Sequence, residues 1–208
     1  MKEAAMLTIS NFARGARGLR AMWLCEEMGI AYRAVLLPYP VPPEYRARNP
    51  LGQAPFLEDG DVAITESASM LLYLAQTYGP TPLLPSPGSA AYPRVMQMTV
   101  FGEATLGGAV SALLMDKFAV PDAEKNGALP RMFRGRAEQA LDFAAHLLGE
   151  GPYFAAERFT IADISMSTAF SLWRGPLGGA LPDALEAYQD RVTARPAYLR
   201  AAAANGEG

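Results

Sequence analysis

The two residue types that build most thiol and metal centres are almost missing. There is one cysteine, Cys25, and one histidine, His146, in 208 residues. A lone cysteine closes no intrachain disulfide and forms no Cys-x-x-Cys pair. A lone histidine leaves a His-based metal cluster and a Ser-His-Asp triad without their parts, so no metal is expected. Charge is sparse as well. Charged residues make up 19% of the chain and the formal net charge is -3. No basic stripe stands out, which argues against a nucleic-acid partner. No apolar run approaches the length of a membrane span. Lys2 and Glu3 are followed by a short strand-like run rather than by the apolar core of a secretion signal. These absences point to a cytoplasmic protein with no membrane partner. They also mean that any thiol chemistry comes with the substrate.

What is present is globular in composition, 50% hydrophobic, enough to bury a core in one large domain or two small ones. The apolar run 5–9 reads as a first strand, and 10–18 as a glycine-containing loop. Residues 19–28 have helical spacing, with Leu19, Met22 and Trp23 on one side and Glu26 and Glu27 toward water, and Gly29 suits the C-terminal cap. Cys25 lies in the apolar Trp23-Leu24 run and reads as a buried thiol. Residues 32–37 read as a second strand. Asn49-Pro50 and Leu51-Gly52 punctuate a turn. Pro55 then stands at the head of a short apolar run, a position that a strand tolerates. The stretch 56–64 turns at Asp59-Gly60 as a hairpin. Directly afterwards, Thr65-Glu66-Ser67 opens an apolar helix, whose free N–H groups can hold a carboxylate.

Prolines crowd residues 80–93, a linker composition. Beyond it the chain reads helical. Residues 90–116 form a long, mostly apolar helix interrupted by Gly102, Gly107 and Gly108, where two backbones approach or a pocket needs room. A second helical run ends at Gly149, and His146 beside Leu147 and Leu148 takes a structural role. Thr160 and Asp163 have the spacing of a capping box, with Phe159 and Ile164 as a hydrophobic staple. The alanine-rich stretch 201–206 is expected to fray.

The segment NPLGQAPFL at 49–57, the hairpin after it and ITESASMLLYLA at 64–75 together resemble the glutathione-binding half of cytosolic glutathione S-transferases. Phe159-Thr160-Ile161-Ala162-Asp163 is similar to the F-x-x-A-D start of a buried helix in that family's second domain, and Arg195-Pro196-Ala197-Tyr198 resembles its usual ending. The resemblance covers nearly the whole chain. It implies an α/β plus all-α fold: a thioredoxin-like glutathione-binding domain over 1–80, a linker over 81–89 and an all-helical domain over 90–208. It implies a cis bond before Pro55, which leaves the Ala54 backbone to pair with the cysteinyl part of glutathione. Gln53 would lie by the glycyl arm, and Glu66 and Ser67 would hold the γ-glutamyl end. A pocket for a small apolar electrophile would lie between the domains, with Phe12, Phe101, Thr105 and Trp173 as its candidate lining. A homodimer is implied too.

Conjugation needs the thiolate of glutathione, and a free thiol titrates around pH 8.5. A hydrogen-bond donor or the positive end of the helix that begins near Arg17 can favour the anion. The loop is most similar to bacterial and fungal members with a Ser-Arg-Ser loop, but Ala16 and Gly18 stand in place of both serines and Arg17 matches the arginine. Arg17 is the first candidate for the thiolate partner, being both charged and a donor. The alternatives are that it anchors a glutathione carboxylate or is solvated. Ser10 is the second candidate, against a turn-forming role. The resemblance therefore implies glutathione conjugation. Two alternatives stay open: glutathione-dependent disulfide or peroxide reduction, and a non-catalytic glutathione-binding protein of the same fold.

Overall fold

The structure is a computed structural model that describes residues 6–14, 17–125, 127–155 and 157–206. Ala5, the expected start of the first strand, and Ala16 lie outside the described residues. The chain divides into two compact units: Met1–Thr81 with Ala194–Gly208, and Pro82–Thr193.

The first unit is an α/β layer of the thioredoxin-like kind. Its four strands are β1 (Thr8–Phe12), β2 (Arg33–Leu37), β3 (Phe56–Asp59) and β4 (Val62–Ile64), ordered β2-β1-β3-β4. β1 runs parallel to β2 and antiparallel to β3, and β3 and β4 form the hairpin. The first strand lies further along the chain than the apolar run 5–9 indicates. Its register is fixed by pairing of Ser10 with Val35 and Phe56, and of Phe12 with Leu37, so Ser10, Asn11 and Phe12 belong to a strand. Helix α1 (Leu19–Met28) follows. Every residue from Leu19 to Cys25 is buried, Arg20 included, rather than one apolar side alone.

That full burial has a specific cause. A short helix, α2 (Pro43–Arg48), and the helix α3 (Ser67–Thr77) belong to the same unit, and so does the terminal helix, α9 (Pro196–Ala204). The stretch expected to fray is helical through Ala204, with Ala201, Ala202 and Asn205 buried. The Arg195 guanidinium grips Glu27 of α1 with two bonds of 2.6 and 2.7 Å. Arg200 reaches Glu26 at 2.6 Å. The Trp23 and Tyr198 rings meet edge to face at 4.8 Å, a favoured aromatic geometry. The terminal segment, which the family resemblance implies to be part of the helical domain, groups with the first unit by its contacts.

The second unit is helical: α4 (Tyr92–Val100), a π-helical turn (Phe101–Thr105), α5 (Leu106–Ala119), α6 (Ala128–Leu148), α7 (Ile161–Arg174) and α8 (Asp183–Thr193). The continuous helix Tyr92–Ala119 is 28 residues long and, by length and composition alone, apolar enough to cross a membrane. This corrects the reading that no run approaches that length. In the fold it packs on α6 and α7. The π turn contains Gly102, where a Cβ would come within 2.7 Å of Ser165 Oγ. Ser165 Oγ donates to the Thr99 carbonyl at 2.7 Å. The glycine thus admits α7 against the helix backbone. α7 itself starts with both halves of a capping box, Thr160 and Asp163.

Candidate functional site

The turn before Pro55 is held from beneath. Pro42 and Pro43 start α2, where proline's fixed φ and missing N–H are tolerated. α2 places Tyr45 and Asn49 one helical turn apart, both buried. The Tyr45 hydroxyl donates to the Gln53 carbonyl at 2.6 Å, and Asn49 Nδ2 donates to the same oxygen at 2.7 Å. Gly52 sits at φ +62, a left-handed conformation suited to glycine. With the Gln53 carbonyl fixed inward, the chain enters the cis Ala54–Pro55 bond and then β3. Among the described residues the Ala54 N–H and C=O have no backbone partner. The turn therefore presents an open, strand-like edge.

The hairpin leads directly into a helix start. Leu57 pairs with Ile64, the last residue of β4, and α3 begins three residues later at Ser67. Glu66 has φ 67 and ψ 104, a strained left-handed conformation for a residue with a Cβ. It precedes α3, which has no side-chain cap. First-turn amides of an uncapped helix offer hydrogen bonds and a partial positive charge to an anion. Ser67 is buried, and its Oγ accepts from Arg20 at 2.8 Å. Arg20 is fully buried; burial, and secondarily the charge of Arg17, pull its pKa to about 9. It still carries its charge at neutral pH. Burial likewise lowers the Arg17 pKa, and the Glu66 carboxylate raises it in part. Arg17, Arg20, Glu66 and Ser67 therefore form one electrostatic cluster at the α1 and α3 starts. The open edge and the cationic helix tips suit an extended, acidic peptide.

The other sequence-named residues are dispersed. Ser10 is fully buried between β2 and β3, and its hydroxyl meets no hydrogen-bond partner among the described residues. Phe12 packs on the cluster Val41, Tyr45 and Phe56 of the first unit. Phe101 and Thr105 line a cavity of about 530 Å³ in the second unit, with Gly108, Phe133, Arg136 and Phe143. Trp173 belongs to that unit's core: it is 2% exposed and donates to the Ala180 carbonyl at 2.8 Å.

Sequence reasoning assigned no role to Tyr45 or Arg20, and gave Asn49 only a place in the turn. Arg20 carried a signal nonetheless, a cation inside an otherwise apolar helical stretch. The Pro42-Pro43-Glu44 helix start carried another. Cys25 is fully buried, and burial, then Glu26 and Asp59, push its pKa up to about 12. Ellman's reagent at pH 8 is expected to find no reactive thiol in the native protein and one after denaturation. A full native reaction would contradict that burial.

Residues 8–82 match the family model described as the glutathione S-transferase, N-terminal domain. Glutathione S-transferase 3 of Zea mays is 30% identical over 185 residues, covering 78% of this chain and 76% of the maize protein. A solved theta class glutathione S-transferase from Xanthomonas axonopodis pv. citri, with glutathione bound, is 28% identical at a TM-score of 0.81, covering 96% of this chain and 98% of that one. A glutathione transferase from Methylococcus capsulatus, 24% identical, shares the fold at a TM-score of 0.83 over 97% of this chain and 99% of that one.

Proposed function

Because the chain belongs to the glutathione S-transferase family, we propose that it binds glutathione and adds its thiolate to small, apolar electrophiles. One observation carries the reading: the turn at the cis Ala54–Pro55 bond leaves the Ala54 backbone open, and the hairpin after it leads directly into the uncapped start of α3. The Ala54 backbone pairs with the cysteinyl unit and Gln53 lies by the glycyl arm. The α3 amides, with Glu66 and Ser67, receive the γ-glutamyl carboxylate and amine. Glu66 supplies the negative partner for that amine, and the N–H groups of the helix start receive the carboxylate.

Arg17 and the positive end of α1 favour the thiolate over the thiol. The sulfur then attacks the electrophilic carbon, forming the C–S bond as the leaving group departs with its electron pair. The family's cytoplasmic, homodimeric habit is part of the same proposal.

The test is calorimetry with glutathione, followed by product analysis with 1-chloro-2,4-dinitrobenzene. Saturable binding and a thioether product with released chloride are expected. Oxidised glutathione as the product would move the protein to reduction chemistry, and binding without any turnover would make it a carrier. Ser67→Ala is expected to raise the glutathione Kd about tenfold, the loss of roughly one charge-assisted hydrogen bond. An unchanged Kd would remove Ser67 from the cradle.

A further inference from the structure

Two buried asparagines join the far end of the chain to the corner where Arg17 sits. Asn11, on β1, and Asn205, at the end of α9, are both fully buried. Asn11 Nδ2 donates to Asn205 Oδ1 at 2.7 Å, across 194 positions of sequence. Asn11 Oδ1 accepts the N–H of Gly18, the residue before α1, at 3.2 Å. The Asn205 backbone carbonyl accepts the Arg14 N–H at 3.1 Å. Arg14 has φ 58, the left-handed region that residues with a Cβ avoid. Residues 14 and 18, on either side of Arg17, are therefore both fastened to Asn205, one directly and one through Asn11.

The fit is close enough to exclude other side chains. A Cβ on residue 18 would lie 2.3 Å from Asn11 Cγ. Gly18 is thus the residue that Asn11 permits. Apolar packing at this place would tolerate small slips. Two amides with directional bonds define one position for the α1 start, and reacting groups displaced by 1 Å lose up to about 100-fold in rate.

We propose that Asn205 is a positioning residue for thiol activation, holding Asn11, Arg14 and Gly18 so that Arg17 and the first turn of α1 face the glutathione sulfur. The assignment rests on the glutathione reading above. It acts on the sulfur through the loop and does not touch the tripeptide.

The test follows the thiolate absorbance of bound glutathione against pH in the wild-type protein and in two variants. Asn205→Ala removes the arm that holds Asn11. Gly18→Ala displaces Asn11 from the other side, so the inference survives a folding failure of the first variant. Each variant is checked by circular dichroism and calorimetry. The bound thiol is expected to titrate about one unit higher in both, with about tenfold less thiolate below the wild-type midpoint, while the glutathione Kd stays within about twofold. A wild-type titration curve in either folded variant overturns the assignment. Absence of a bound thiolate in the wild-type protein overturns the transferase reading instead, and the positioning role with it.

Discussion

Asp163→Ala is expected to lower the unfolding free energy by about 3–5 kcal/mol, against the 5–15 kcal/mol typical of a folded protein. The Asp163 carboxylate accepts from Phe154 N at 3.1 Å, Thr160 N at 2.8 Å, Thr160 Oγ1 at 3.0 Å and the Tyr188 hydroxyl at 2.7 Å. Alanine loses the reciprocal half of the capping box. It also strands the Phe154 N–H and the Tyr188 hydroxyl in a dry interior, at about 1–3 kcal/mol for each buried group.

Burial raises the Asp163 pKa despite these bonds. The native state holds this proton more tightly than the unfolded chain, so the contribution of Asp163 to stability falls as pH rises from the ordinary carboxylate range through the raised value. Acid therefore does not loosen this cap. Asn, neutral and keeping one acceptor, is expected to cost less than Ala. Urea unfolding monitored by circular dichroism decides the matter: a shift below about 1 kcal/mol for Asp163→Ala would mean that the hub is structurally dispensable.

Arg17→Ala is expected to lower kcat/KM about tenfold or more at pH 6.5 and by little at pH 9. In the proposed mechanism the guanidinium favours the thiolate, so removing it returns the bound thiol toward its free value near pH 8.5. Each unit of that return is worth about 1.4 kcal/mol, a factor of ten in thiolate at low pH. Above the free thiol's pKa both enzymes hold the anion and the gap closes. Glutathione affinity is expected to stay within about twofold, because the proposed cradle holds the carboxylates at other residues. Two parallel pH–rate profiles would deny Arg17 this role. A raised Kd with an unmoved profile would make it a carboxylate anchor facing the tripeptide.

Local chemistry was legible in the sequence, and long-range closure was not. Pro55, the Asp59-Gly60 turn and the Thr160–Asp163 box depend on residues a few positions apart. Each announces itself through turn, hairpin or capping preferences, and the structure has the hairpin and the box where those preferences put them. Gly102 was legible as an interruption, though its reason, the approach of Ser165, lies 63 residues away. The first strand shifted to Thr8–Phe12 because pairing partners, rather than its own apolar content, set its register. Arg20 and Ser67 are separated by 47 positions, and Asn11 and Asn205 by 194. Nothing in either neighbourhood names the other. The terminal alanines looked ready to fray because their value as small residues against a helix shows only once that helix is in place.

Closure of the first unit by α9 also dictates an order of events during synthesis. The segment Pro82–Thr193 stands between the two parts of that unit. At roughly 5–20 residues per second, a ribosome makes this segment in about ten seconds. Throughout that interval Trp23 has no Tyr198 to meet, and Glu27 has no Arg195. The nascent unit carries an unfinished apolar face, so factors that shelter emerging chains have this stretch to act upon before the last helix arrives.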